Sequence, residues 1–276
     1  MAKAPVNKAS TEIVKPAAAA LVEVQDSFSD FAGQGLEDLS KDDLAIPFLT
    51  ILQSGSPQVK RSDGQYVEGA AEGMLFNTVT KEVIDPIKDP VIVVAAAYER
   101  HYVEWRIREN GGGFIKQHPA DPAIQAPCIR DEKSRDILPN GNQLNDTRTF
   151  YVMVIKDGMP SPAVITMTST QIRKAKQWLM QQSLLKLKRA DGTSYTPPMF
   201  AAKWRLTTVP ESNDRGSWMG WKFENEGYLA GPKDPVFVTA MDFHKSIAAG
   251  TVQVDLSKQA GEADTVSSVD DTDIPF

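Results

Sequence analysis

Four side chains offer the nitrogen or sulfur ligands of a zinc site: His101, His118, Cys128 and His244. None of them stands at ligand-pair spacing, and the two that share a segment, His118 and Cys128, cannot close a tetrahedral site. Nucleophilic and nucleotide chemistry find no better footing. The chain has no Gly-x-Ser-x-Gly elbow, no phosphate loop ending in Lys-Ser/Thr and no paired dinucleotide glycines. These residues predict a chain that is not an enzyme and needs neither cofactor nor metal. What does recur is a cation beside an aromatic ring. Arg100 stands near Tyr102, and Trp105 near Arg106 and Arg108. Lys203-Trp204-Arg205 are consecutive, and Trp218 precedes Trp221-Lys222. Tyr151 adds a ring in a β-rich run. Cations hold phosphates, and each base stacked on a ring contributes roughly 1–3 kcal/mol, so this pattern suits an exposed single strand of DNA. At least one of these rings is expected to stack. Arg173, Lys174 and Lys176 extend the set. They fall in the first turns of an expected helix, where the dipole disfavours positive charge, and no acid lies between Thr168 and Arg189 to offset them. An anionic partner accounts for that choice.

The far end of the chain carries a different chemistry. Asp270, Asp271, Asp273, Ile274, Pro275 and Phe276 set two apolar side chains among carboxylates, and Phe276 bears the terminal carboxylate. The segment before them, from Ser257, is polar and acidic, a composition that does not fold alone. A terminal Phe on such a leader is suited to a partner's pocket, with its carboxylate captured there. This ending resembles the Asp-Asp-Asp-Ile-Pro-Phe tip of bacterial single-stranded DNA-binding proteins and the acidic, Phe-terminated tail of their T7-type phage counterparts. It departs from the bacterial tip at Thr272, and the likeness is confined to about the last seven residues. The resemblance implies sequence-independent binding of single-stranded DNA in phage replication, recombination and repair, in the host bacterial cytoplasm. It also implies a tail that recruits a polymerase, helicase, primase or nuclease and competes with DNA for the basic face. Two other readings stand beside it: a single-strand annealing or recombination mediator, and a decoy that displays the tail without touching DNA.

Composition bounds these readings. The 276 residues are 41% hydrophobic, enough for one large domain with tails. One cysteine rules out an internal disulfide. No apolar run reaches the length of a membrane span, and the first 20 residues do not read as a secretory signal. The net charge of −6 argues against nucleic acid until its distribution is considered. Residues 98–222 hold 19 Lys and Arg against 12 Asp and Glu, whereas residues 23–97 hold 5 against 13 and residues 257–276 hold 1 against 5. A basic middle lies between acidic flanks.

The elements that must position these residues are mostly strands. Val91–Ala97 reads as a buried strand. It continues to Arg108 with Tyr98, Tyr102 and the even-numbered residues on one face, and Val103, Trp105 and Ile107 on the other. Runs on either side of Asp157-Gly158 predict a hairpin. A helix is expected over 168–188, with Thr168 as cap, Gln171 reaching back, and Ile172, Ala175, Leu179, Leu184 and Leu187 turned inward. Residues 199–210 and 217–223 predict a second hairpin, and Asp234-Pro235 starts a last helix ending near Gly250. The fold class is α+β, mainly β: an OB-fold-like barrel with extra helices, a long insertion and disordered termini. Residues 1–24 are expected as a flexible arm, 25–256 as a single domain with 114–147 as a loop insertion, and 257–276 as a disordered tail. The oligomeric state is left open, with a homo-oligomer as one form.

Overall fold

A computed structural model describes residues 34–35, 45–214, 216–252 and 254–256. The arm 1–24 and the tail 257–276, with Asp270 to Phe276, lie outside the described residues. The chain divides into two units after residue 44, and the second begins at Ala45.

The β-branched run Val91-Ile92-Val93-Val94 opens the longest strand, β4 (Val91–Trp105). It pairs along its length with β8 (Gln143–Lys156), antiparallel. Around this pair the sheet grows outwards. β12 (Ala202–Asn213) and then β13 (Gly216–Tyr228) lie beside the first half of β4, and β5 (Phe114–Pro119) lies beside its second half. β9 (Met159–Thr168) runs along β8. The β8–β9 turn follows the expectation: Asp157 and Gly158 both have positive φ, 51° and 77°, as a two-residue hairpin turn requires. The second hairpin is longer than expected, because Glu211, Ser212 and Asn213 continue the strand rather than forming its loop.

The sheet curls into a half-barrel, and the mainly β, OB-like class is as expected. A small sheet of β1 (Leu49–Ile51), β2 (Leu75–Asn77) and β3 (Val83–Ile84) spans the opening between edge strands β9 and β13. At one end Phe48 bridges Val164, with the Val164 N–H donating to Pro47 O at 2.8 Å. At the other, the Gln53 amide donates to Met219 O and accepts from Met219 N–H, both at 2.9 Å.

Residues 114–147 form an ordered excursion rather than a loop insertion. They hold β5, a one-turn helix α1 (Pro122–Gln125) capped by Asp121, the short strands β6 (Ile129–Arg130) and β7 (Asp136–Ile137), and the start of β8. Buried Glu104 anchors the excursion. It accepts from the Asn140 and Asn142 amides at 2.8 and 2.6 Å and from His118 Nε2 at 2.8 Å.

The first long helix, α2 (Ile172–Leu184), is shorter than predicted. A 3₁₀ turn, Ser169–Gln171, precedes it. Thr168 makes no capping bond, and Gln171 instead accepts from the Trp221 N–H at 3.1 Å. Ala175 and Trp178 are buried, but Leu184 faces solvent, and Leu187 leaves the helix for β10 (Leu187–Lys188), which pairs with β11 (Ser194–Tyr195). Trp178 is the centre of the main core. It stacks on Phe223 with ring centroids 4.1 Å apart and on Phe150 at 4.4 Å, and meets Trp204 edge-on at 6.1 Å. The last helix, α3 (Pro235–Ala248), starts as predicted, with the Asp234 side chain accepting from Val236 N–H at 2.9 Å. It packs Val236, Ala240 and Ile247 on the other face of the sheet, against Val94, Met153 and Tyr151.

Candidate functional site

The alternation of β4 explains where the predicted rings go. A bulge between Ala95 and Ala97 shifts its phase, so Val91, Val93 and Ala95 share a face with Tyr98, while Val94, Ala97, Val103 and Trp105 share the other. Both faces are then covered, one by α2 and the other by α3 and the chain that follows it. The expected aromatic platforms, on these strands and on the hairpin, are buried. All five Trp residues are buried, none more than 7% exposed. Trp204 and Trp221 belong to the main core, and Trp105 packs edge-on to Phe114 at 5.7 Å. Tyr102 is buried with its hydroxyl donating to Gln125 at 3.0 Å, and Tyr151 with its hydroxyl donating to Glu99 at 2.8 Å. The expectation of an accessible stacking ring among Tyr102, Tyr151, Trp105, Trp204, Trp218 and Trp221 is corrected by this packing. A ring with protein on both faces has no face left for a base.

The predicted cations separate into two groups. Arg100, Arg106 and Arg108 lie at the far end of β4. Arg100 makes a two-pronged pair with Asp146 at 3.1 and 2.9 Å and lies over the Tyr102 ring. Arg106 and Arg108 are exposed beside the Gly111–Gly113 turn.

The second group comes together. Lys203, Arg205, Glu211, Trp218 and Lys222 share the outer face of the β12–β13 hairpin, as the register Arg205↔Glu224, Thr207↔Lys222 and Glu211↔Trp218 requires. The start of α2 brings Lys174 Nζ to 2.7 Å and Arg173 Nη2 to 3.4 Å from Glu211 Oε1, and Trp218 Nε1–H donates to Glu211 Oε2 at 3.2 Å. Lys176 is exposed on the same helix. Gly220 lies opposite and leaves room for the carboxylate, which a Cβ there would strike. Along the hairpin, Lys222 pairs with Glu224 at 2.9 Å, and Arg205 Nε lies 2.6 Å from Glu226, close but poorly aligned for a hydrogen bond. The cations expected to face an anionic partner thus meet acids of this chain, with Glu211 gathering two of them and an indole.

A second constellation was not anticipated. Glu99 and His101 on β4, with Thr149 and Tyr151 on β8, face a cavity of about 330 Å³. Gln117, Ile247, Gly250, Val252, Val254 and Leu256 complete its lining among the described residues. His101 Nε2 lies 3.3 Å from Thr149 Oγ1, and its Nδ1 has no partner. Burial pulls the imidazole down to about 4. Burial, then the bond to Glu99, pushes the Tyr151 phenol well above its ordinary value. The signal in the sequence is slight: Glu99 and His101, like Thr149 and Tyr151, stand at i and i+2 and so on one face of their strand. The remaining metal-type residues are apart, with His118 on Glu104 and His244 Nδ1 on Ala96 O at 2.9 Å. Among the described residues, no helix is long and apolar enough to cross a membrane.

No curated protein and no solved structure matches this chain. Residues 17–253 match the family described as Pam3 phage gp34-like protein, a span that takes in the whole barrel and both long helices. The chain is thus a member of the Pam3 phage gp34-like protein family.

Proposed function

We propose that this phage-family protein binds single-stranded DNA without sequence preference and recruits replication or repair proteins through its terminal Asp-Asp-Thr-Asp-Ile-Pro-Phe, in the cytoplasm of the host. The peptide Asp270–Phe276 carries this reading, since it sets Ile274 and Phe276 among carboxylates. An OB-like barrel is a common platform for oligonucleotides and so supports it. The candidate DNA surface is the outer face of the β12–β13 hairpin with the start of α2: Arg173, Lys174, Lys176, Lys203, Arg205 and Lys222. Binding there is an exchange, in which DNA phosphates replace Glu211, Glu224 and Glu226 as partners of these cations. Affinity is then chiefly electrostatic, because the rings are buried.

The test is fluorescence anisotropy of a labelled polythymidine strand over a salt series. Binding that weakens steeply with salt is expected, and Lys222→Ala should reduce the slope of log K against log[salt] by about 0.7. No binding at low salt would end the DNA reading.

The enclosed rings and the paired cations favour a second reading, in which the body carries the tail and leaves DNA alone. A protein that captures host tail-binding partners through Phe276 but ignores polythymidine would establish it.

A further inference from the structure

We propose that the cavity between β4, β8 and the chain following α3 binds a small organic cation, a primary ammonium or a guanidinium. Its volume of about 330 Å³ suits a small ligand. Among the described lining residues, Glu99 is the only acidic or basic side chain other than His101. One of its oxygens accepts from the Tyr151 hydroxyl at 2.8 Å, which leaves acceptor capacity on the carboxylate. His101, two residues along the same strand face, is 3% exposed, and its Nδ1 has no partner.

A half-buried carboxylate with acceptor capacity to spare calls for a donor that carries positive charge. The imidazole stays neutral near pH 7, because burial holds its pKa at about 4, so it does not repel a cation. Ile247, Val252, Val254 and Leu256 line the side of the cavity formed by the end of α3 and the chain that follows it. The site uses none of the cations assigned to DNA, so it stands or falls separately from the proposed function.

Isothermal titration calorimetry on the full chain tests this, with agmatine and n-butylammonium as probes and n-butanol and guanosine as comparators. Saturable one-to-one binding of the two cations is expected, with n-butanol silent. Glu99→Gln should weaken it at least about tenfold. The amide oxygen of that variant still accepts from Tyr151, so the strands keep their pairing. On the unmodified protein, the cations should also shift the His101 ring resonances in NMR spectra. Absence of saturable binding, equal affinity in Glu99→Gln, unmoved His101 resonances, or guanosine bound in preference to agmatine would each overturn the proposal.

Discussion

At the scale of single residues, burial decides more than residue type does. Trp204 sits between Lys203 and Arg205, which looks like a phosphate-and-base grip when read along the chain. A strand sends neighbours to opposite faces. The ring therefore enters the core beneath Trp178 while its two cations stay on the outer face. His101 makes the same point with charge. Its ordinary pKa of 6.5 falls to about 4 through burial, against a weaker upward pull from Asp146. The unfolded chain then binds a proton that the folded chain refuses. This contribution to stability is complete above pH 6.5 and is lost as the pH falls from about 6.5 towards 4, to the extent of roughly 3 kcal/mol. Urea denaturation over that pH range should show the midpoint falling with acid. His101→Gln should flatten the profile between pH 4 and 6.5, and an unchanged profile would contradict this assignment.

At the scale of elements, the local signals were legible and the long-range ones were not. Asp157-Gly158 and Asp234-Pro235 specify their turn and cap within a few residues, and both stand where the sequence places them. The bulge at Ala96 gave no such sign, because Ala95, Ala96 and Ala97 are alike. It nevertheless decides which face Tyr98 and Tyr102 share with Val93. The excursion over 114–147 looked like a loop because its prolines and glycines punctuate it, while Glu104, the residue that fastens it, lies on another strand. Closure of the barrel was equally hidden. It rests on Gln53, 166 residues from Met219 in sequence, which pairs with both backbone groups of that residue. Gln53→Leu leaves an N–H and a C=O of β13 without partners, at a cost of about 1–3 kcal/mol for each group that water cannot reach. Hydrogen exchange should accelerate at Met219 and its neighbours, with the β4–β8 pair still protected. If exchange at Met219 does not change, some other contact closes the barrel.

At the scale of the whole molecule, charge is divided between body and ends. Residues 45–256 hold 25 Lys and Arg against 23 Asp and Glu, while residues 1–44 hold 4 against 8 and residues 257–276 hold 1 against 5. The basic middle of the sequence is thus nearly neutralised within the folded body, as Lys156 on Glu82 and Lys174 on Glu211 illustrate. If that body is to grip DNA, its own acids and its tail are rivals for the same cations. Glu211 is the test of this, because it holds both Arg173 and Lys174. Glu211→Gln should raise affinity for polythymidine several-fold at low salt and steepen the salt slope by about 0.7 for each cation newly placed on a phosphate. Removing residues 257–276 should raise affinity as well. If tail and Glu211 compete for one set of cations, the double variant must gain less or more than the sum of the two, with a coupling above about 0.5 kcal/mol. Strict additivity would mean that the tail, if it touches the body at all, does so away from α2 and the hairpin.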